Sequence, residues 1–476
     1  MIGLAHIGGP VSCLGLALLL VARSRRDRLA GLGFATFGAL LLAAALDPSR
    51  PWHVVGETAA ALAVAAVAAV VFRRVPWLVP LASLAFVPLR IGALGHQLLV
   101  PLYVVVAAAT LVLFWEIARG DERSRELGFT AWPLAAYVGW TGLSLAWSQD
   151  PNAGATEVLA FYVPFVVLAI AVARMPWSRL GAGALYAEVT IMAIVFAAVA
   201  FYQYDTRNVF ENPKVIVSNA YASFFRVNSV FWDPSVYGRF LVVALVPSIV
   251  LIVRGRSLRL AWAAAVVVVV TWLGLLISFS QSSFAALLVA VVGVAVVAWR
   301  WRSLIAVGLA VIVVAGLAIS APQIRHSIEH HTTSGLNSAS SGRASLVANG
   351  IRIAEAHPLL GVGVGGFQHA YAARVDLKGK RALSESHDTP VTVAAESGGI
   401  GLVLFVWLLA SLLLQGFRRT DRTLVGGTAL VAALTLAAIL CHSLFYADFF
   451  EDPTTWLLLG LVGLATGRAG RQEVPA

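Results

Sequence analysis

The sequence predicts an all-α polytopic membrane protein, and three observations carry that prediction. Of the 476 residues, 59% are hydrophobic and only 12% are charged, about half the charged share of a soluble domain. Continuous apolar runs of about 17–25 residues recur along the whole chain, each long enough to cross a bilayer as a helix. They do not alternate as the strands of a transmembrane β-barrel do. Finally, the short connections alternate between arginine-rich and nearly uncharged. The basic set holds Arg23/Arg25/Arg26/Arg28, Arg73/Arg74, Arg119/Arg123/Arg125, Arg174/Arg179, Arg254/Arg256/Arg259, Arg300/Arg302, Arg418/Arg419/Arg422 and Arg468/Arg471. Positive charge concentrates in cytoplasmic loops, so this set is placed in the cytoplasm. The formal net charge of +10 is then a topology signal and not a sign of nucleic-acid binding.

The spans read near 3–22, 29–46, 54–72, 76–91, 98–117, 130–147, 157–173, 183–204, 237–253, 260–279, 283–299, 303–320, 391–416, 423–446 and 454–467. A total of about 12–15 transmembrane helices is expected. The segment 76–91 is the weakest of them, because Pro76, Pro80 and Pro88 interrupt it, and a re-entrant path suits it. The first run lacks a basic segment ahead of it, and its arginines follow. That order is the reverse of a signal peptide, so the N-terminus is expected outside and the C-terminus in the cytoplasm. Three regions result. Residues 1–320 are transmembrane helices with an outer loop at 205–236. Residues 321–390 form a long, partly helical extracytoplasmic loop, and 391–476 are the C-terminal helices. Cys13 and Cys441 sit far apart in apolar runs and form neither a metal spacing nor a disulfide framework.

The polar stretch 321–390 is where chemistry is expected, since long loops of multi-span proteins carry function. It holds His326, His330, His331, His357, His369 and His387, six of the ten histidines, together with Arg325, Arg343, Arg352, Arg374 and Arg381. Without cysteine or a carboxylate cluster nearby, those histidines do not read as a metal site. Basic residues on the outer side run against the topology rule. Lys214, Arg226 and Arg239 in or beside the first outer loop, and those of the second, therefore imply an anionic partner there. Attraction to lipid headgroups is the plainer alternative.

In the first outer loop, Phe224, Phe225, Phe231 and Trp232 interleave with Arg226, Asn228 and Asp233. The aromatics read as an interfacial belt. Arg226 reads as a phosphate contact, since a guanidinium forks onto two oxygens and stays charged in a low-dielectric site. In the second loop, Ser340 and Ser341 precede a helix expected to run from Arg343 to about Ala356 and to stop at Pro358. A cation in the first turn opposes the helix dipole, and an anion held by Arg343 and the free amides removes the conflict. Gly361, Gly363 and Gly366 match G-x-G-x-x-G in form. No βαβ unit surrounds them, which excludes a dinucleotide site and leaves close backbone packing or approach to a ligand. His387 and Asp388 stand where the loop meets a span, with Glu396 about two turns deeper. A histidine at such an edge is a good proton acceptor, and a carboxylate inside an apolar run is costly unless paired. The acidic turn Asp448–Pro453 is expected to balance the basic outer loops or cap the last span.

Taken in order, Arg226 in an Arg-x-x-Ser-x-Phe-type loop, Gly342-Arg343, the segment 358–367, His387 and the run Glu396–Gly401 resemble the O-antigen ligase and polymerase family of bacterial envelope glycosyltransferases. The motif region covers roughly residues 220–410, and no single motif in it is specific. The resemblance implies a GT-C-like, inverting, metal-independent enzyme without cofactor in the bacterial inner membrane. It implies transfer of glycan from an undecaprenyl-diphosphate donor to a glycan or lipid-linked acceptor at the outer face. By motif, Arg226 and Arg343 become the diphosphate contacts and His387 the base, with Asp388 or Glu396 to orient it. Asp233, Lys214 and Arg352 are further substrate-binding candidates. Two features depart from the family: Asp388 stands where His-Asn is common, and Ser280-Gln281-Ser282 stands where an arginine often follows the serine. A transporter or flippase of lipid-linked sugars is the alternative, using Glu396 and the broken spans for alternating access. No inverted repeat in span spacing favours it.

Overall fold

The structure, a computed structural model, describes residues 2–46, 51–89, 91–93, 96–121, 123–210, 212–221, 224–255, 257–299, 308, 343–375, 385–418 and 420–467. The helices are α1 (Ile2–Val21), α2 (Arg25–Leu46), α3 (Pro51–Arg74), α4 (Leu78–Ala85), α5 (Val100–Ala118), α6 (Ala131–Ser144), α7 (Pro151–Glu157), α8 (Val163–Arg174), α9 (Arg179–Thr206), α10 (Pro213–Tyr221), α11 (Pro234–Arg254), α12 (Leu258–Ser278) and α13 (Gln281–Trp299). They continue with α14 (Arg343–Ala356), α15 (Phe367–Arg374), α16 (Thr389–Arg418), α17 (Leu424–Ser443) and α18 (Pro453–Thr466). A π-helical turn at Val158–Tyr162 joins α7 to α8. Among the described residues, ten helices are long and apolar enough to cross a membrane, counting 151–174 as one. The protein is an all-α polytopic membrane protein. The expected span 303–320, apart from residue 308, and Ser340, Ser341, Arg325, Arg381, His326, His330 and His331, lie outside the described residues.

One expected span is corrected. Residues 76–91 do not form a crossing helix. The prolines confine the helix there to the eight residues of α4, about 12 Å of rise against a hydrocarbon core of about 30 Å. The chain then turns through a two-stranded antiparallel hairpin, Ile91–Ala93 against His96–Leu98, with Ile91 opposite Leu98.

Small residues let the first helices approach closely, as membrane helices commonly do. Gly15 of α1 lies on the backbone of Gly31 and Ala35 of α2, and Gly38 lies on Ser12. Ser12 Oγ donates to the Ala35 carbonyl at 2.9 Å. At one end of the bundle a buried ion-pair network ties α2, α5 and α8 together. Arg28 and Arg174 each reach Glu126 at 2.5 Å, and Arg174 also reaches Glu116 at 2.6 Å and Asp121 at 2.8 Å. Burial works to raise the Asp121 carboxyl, yet hydrogen bonds from Arg123 and the charges of Arg174 and Arg123 outweigh it and hold it at about 2. Two arginines that mark topology in the sequence are thus structural staples as well.

At the opposite end α16 is broken, and the break organises everything near it. Gly398 takes φ +66°, ψ −171° inside the helix. The carbonyls freed by the break, Ala395 and Glu396, accept from the amides of Val362 (2.9 Å) and Gly363 (2.8 Å), and the Gly399 amide donates to the Pro358 carbonyl at 2.8 Å. The glycine-rich segment 358–363 is therefore threaded into the helix break, with Gly361 at φ +69° against the Glu396 backbone. Its continuation is bound to the α6–α7 junction: Ser148 Oγ donates to the Val364 carbonyl at 2.7 Å, and the Val364 amide donates to Ser144 Oγ at 3.1 Å. Of the two readings of these glycines, close backbone packing is the one realised. Gly398→Ala is expected to destabilise the protein by roughly 2–5 kcal/mol, combining left-handed backbone strain with overpacking onto the Leu359 carbonyl. Thermal melting in detergent checks this, and an unchanged midpoint would remove the threaded break as a stabilising element.

Candidate functional site

The site gathers at the end of the bundle opposite the ion-pair network. Arg226 is held by its backbone: its amide donates to Asn219 Oδ1 at 3.0 Å and its carbonyl accepts from Asn219 Nδ2 at 2.8 Å. Its Nε donates to the Ser278 carbonyl at 3.3 Å. Three residues on, Ser229 sits at φ +52°, clamped by the buried Gln203 through both backbone groups at 2.8 and 2.9 Å. Asp233 ends the loop as the cap of α11, accepting from the Ser235 amide at 2.7 Å. Of the aromatics read as a belt, Phe224 and Trp232 are half-exposed. Phe231 is instead buried edge-on against Phe196, with centroids 5.3 Å apart.

Arg343 opens α14, as its position in the motif predicts. Its charge reaches Arg226: burial lowers the Arg226 pKa and Arg343 lowers it further, while Asp233 opposes them. Among the described residues neither guanidinium is ion-paired. Two neighbouring cations without a carboxylate partner form a place for an anion.

His387 lies beside this pair. It is one of the few non-glycine residues in the left-handed region, at φ +62°, a conformation that costs of order 1–3 kcal/mol and persists where its surroundings impose it. Those surroundings are a tight hydroxyl turn. Ser386 Oγ donates to the Asp388 carbonyl at 2.8 Å, and Asp388 Oδ1 caps α16 by accepting from the Val391 amide at 2.9 Å. Burial lowers the His387 pKa, and Arg343 and Lys214 lower it further, against Asp233 and Asp448. The imidazole is therefore neutral at neutral pH, the form a proton acceptor needs. Asp388 is shifted the other way, raised by burial against the Val391 hydrogen bond.

The expectation that Asp388 or Glu396 orients His387 needs correction in its geometry. Asp388 spends Oδ1 on the helix cap. Glu396, 7% exposed, accepts from the Phe367 amide at 3.1 Å, which pairs the costly carboxylate with the start of α15. Among the described residues neither one hydrogen-bonds the imidazole. The ring against His387 is Tyr446, with centroids 6.0 Å apart.

Tyr446 belongs to the segment before α18, which is tied down by Arg239. Arg239, 6% exposed, pairs with Asp448 and, through Nε, with Asp452 at 3.0 Å. Asp452 also caps α18 by accepting from Thr454 at 2.8 Å. The acidic turn thus both balances a basic residue and caps the last helix, as the sequence suggests. Arg239 is correspondingly not a free cation waiting for an anion.

Lys214, on α10, is exposed and close enough for its charge to bear on His387. Arg352 lies on the exposed side of α14, with Asn349 Oδ1 at 3.5 Å, and is not among the charges bearing on His387 or Arg226. At Ser280-Gln281-Ser282 the structure has a buried hydroxyl cluster in place of a third cation: Ser280 Oγ lies 2.8 Å from Ser283 Oγ and 3.1 Å from Ser282 Oγ. Sequence reasoning missed Tyr446 and the pairing of Arg239. The available signal was a buried-looking arginine within the first turn and a half of α11 and two aspartates near the end of the chain.

The family model described as O-antigen ligase matches residues 266–406. Over that stretch the chain is similar to the O-antigen ligase family. The match covers Arg343, the threaded glycine segment, His387 and Glu396, whereas Lys214, Arg226 and Asp233 precede it and Tyr446 follows it. A comparison with curated proteins gives no match.

Proposed function

We propose that the protein is an inverting, metal-independent glycosyltransferase that moves glycan from an undecaprenyl-diphosphate donor to an acceptor hydroxyl at the outer face of the bacterial inner membrane. The observation that carries this reading is the juxtaposition of Arg226 and Arg343, neither ion-paired among the described residues, with His387. The arginines hold the diphosphate and stabilise the charge that grows on it as it leaves. His387 takes the proton of the acceptor hydroxyl, whose oxygen attacks the anomeric carbon from the face opposite the diphosphate. The new glycosidic bond forms as the bond to the phosphate oxygen breaks. Undecaprenyl diphosphate departs and the proton stays on the imidazole until solvent removes it. The arginine-rich connections face the cytoplasm under the positive-inside rule, which puts this site outside.

The test is transfer by purified protein in proteoliposomes, supplied with undecaprenyl-diphosphate oligosaccharide and a chelator. Transfer that survives the chelator supports the proposal. Absence of transfer accompanied by movement of labelled lipid across the bilayer would replace it with the flippase reading.

A further inference from the structure

The turn that carries His387 fixes its backbone and leaves its ring untied. Ser386 bonds the Asp388 carbonyl and the Thr392 hydroxyl, and Asp388 caps α16. Among the described residues no side chain hydrogen-bonds the imidazole. A base whose side-chain torsions are free is often misaimed, and a misplacement of about 1 Å can cost about 100-fold in rate. One ring stands against it. Tyr446 lies with its centroid 6.0 Å away and its plane tilted by 57°, inside the range of about 4.5–7 Å over which aromatic pairs attract. Tyr446 also packs on His442, four residues earlier at the end of α17, with centroids 5.9 Å apart. His442 is fully buried, and its Nε2 lies 3.2 Å from the Ser235 carbonyl in the first turn of α11. The backbone around Tyr446 is closed as well. The Phe445 amide donates to the His442 carbonyl at 3.0 Å, and the Asp448 amide donates to the Tyr446 carbonyl at 2.9 Å. Just beyond, Arg239 pins Asp448 and Asp452. Among the described residues the Tyr446 hydroxyl has no hydrogen bond, so what it offers His387 is its ring.

We propose that Tyr446 is a positioning residue, whose ring, packed on both His442 and His387, sets the plane of the imidazole for proton transfer. The inference rests on the reading of His387 as the base and deepens it. A planar neighbour restrains the tilt of the imidazole in either protonation state. It does so without occupying a ring nitrogen, as a hydrogen-bonding partner would. One nitrogen stays available to the acceptor hydroxyl and the other to solvent. The support is rigid because it runs through packed elements: the first turn of α11 holds His442, His442 backs Tyr446, and Tyr446 meets His387. A reacting group held by neighbours that are themselves locked is the arrangement precise chemistry needs. The charged groups that bear on the imidazole are Arg343 of α14, Lys214 of α10, Asp233 at the start of α11 and Asp448 ahead of α18. A substitution at 446 leaves all four in the sequence, so a change in the pH profile reads the loss of the ring.

The experiment compares full-length wild type, Tyr446→Phe, Tyr446→Ala and His387→Ala in proteoliposomes supplied with undecaprenyl-diphosphate oligosaccharide. Turnover is measured against donor concentration and pH, and folding is followed by thermal melting. Tyr446→Ala is expected to lower kcat about three- to tenfold, the worth of one aromatic contact. Its KM for the donor should stay unchanged, because Arg226 and Arg343 hold the diphosphate. Its acid limb should move up toward 6.5, since water entering beside the imidazole relieves the burial that lowers its pKa. Tyr446→Phe keeps the ring and should transfer within about twofold of wild type. If Tyr446→Ala does not fold, Tyr446→Leu fills most of the volume without a ring plane, and the kcat loss at constant KM carries the test. Wild-type kcat in the folded variant lacking the ring would overturn the inference. So would a loss confined to KM, an unmoved acid limb in Tyr446→Ala, or a Phe variant as impaired as Ala. If His387→Ala abolishes transfer while the ring-free variant behaves as wild type, the positioning role alone fails. If His387→Ala transfers normally, the base itself is wrong and the inference falls with it.

Discussion

His387→Ala is expected to lower glycan transfer by roughly 10²–10⁴-fold, the usual worth of a positioned general base, while the melting temperature holds or rises. The two readouts move apart for a structural reason. His387 occupies the left-handed region in a turn made by its neighbours: Ser386, Thr392 and Asp388 hold the loop through their own hydrogen bonds. Removing the imidazole leaves that turn intact. The pH profile supplies a second check. Burial, with Arg343 and Lys214, lowers the His387 pKa below the usual histidine value of 6.5. A group whose proton is disfavoured by the fold stays neutral until the pH falls below that value. Transfer should therefore persist as pH drops past 6.5 and decline only through the lowered pKa. The stability contributed by the neutral ring follows the same sign, complete above the unfolded value and lost as pH falls toward the folded one. Lys214→Gln should move the acid limb upward by removing one of the lowering charges. A variant without the imidazole that transfers normally, or an acid limb above 6.5, would remove His387 as the base.

Arg239→Ala is expected to cost about 3–5 kcal/mol, because it strands two buried carboxylates without their cation. Asp448 and Asp452 lie in the segment that carries Tyr446 and leads into α18, so the loss should spread to the site. The measurement is denaturant or thermal unfolding of Arg239→Ala beside Arg239→Lys. Lysine keeps the charge and loses the two-sided geometry of the guanidinium, so it should recover only part of the loss. An alanine variant as stable as wild type would mean that the aspartates find other partners and that Arg239 does not hold this end of the fold.

How much of this was legible beforehand divides along physical lines. Span positions followed from apolar length alone, and they hold within a few residues from α5 through α13 and from α16 to α18. At 76–91 the three prolines that made it the weakest expected span decide the outcome, because they deny the helix its hydrogen bonds. Arg343 at the start of α14 was readable because Pro358 and the serines punctuate that helix. Glu396 was readable as a paired carboxylate, but not its partner, because the Phe367 amide comes to it only through the threading of 358–363 into the broken helix. That threading depends on two positive-φ glycines meeting across the fold, Gly361 and Gly398, and neither announces the other in sequence.

The sequence by itself determined that the chain lives in a membrane, which connections carry the topology charge, and which arginines and histidine to propose for the chemistry, because burial length, charge asymmetry and motif order are local properties. Only the tertiary structure decided which charges remain available. Arg239 and Arg226 look alike as basic residues flanking one loop, yet one is neutralised by Asp448 and Asp452 from the far end of the chain, while the other meets Arg343. Long-range pairing is set by how helices pack, and no spacing along the chain encodes which carboxylate will arrive.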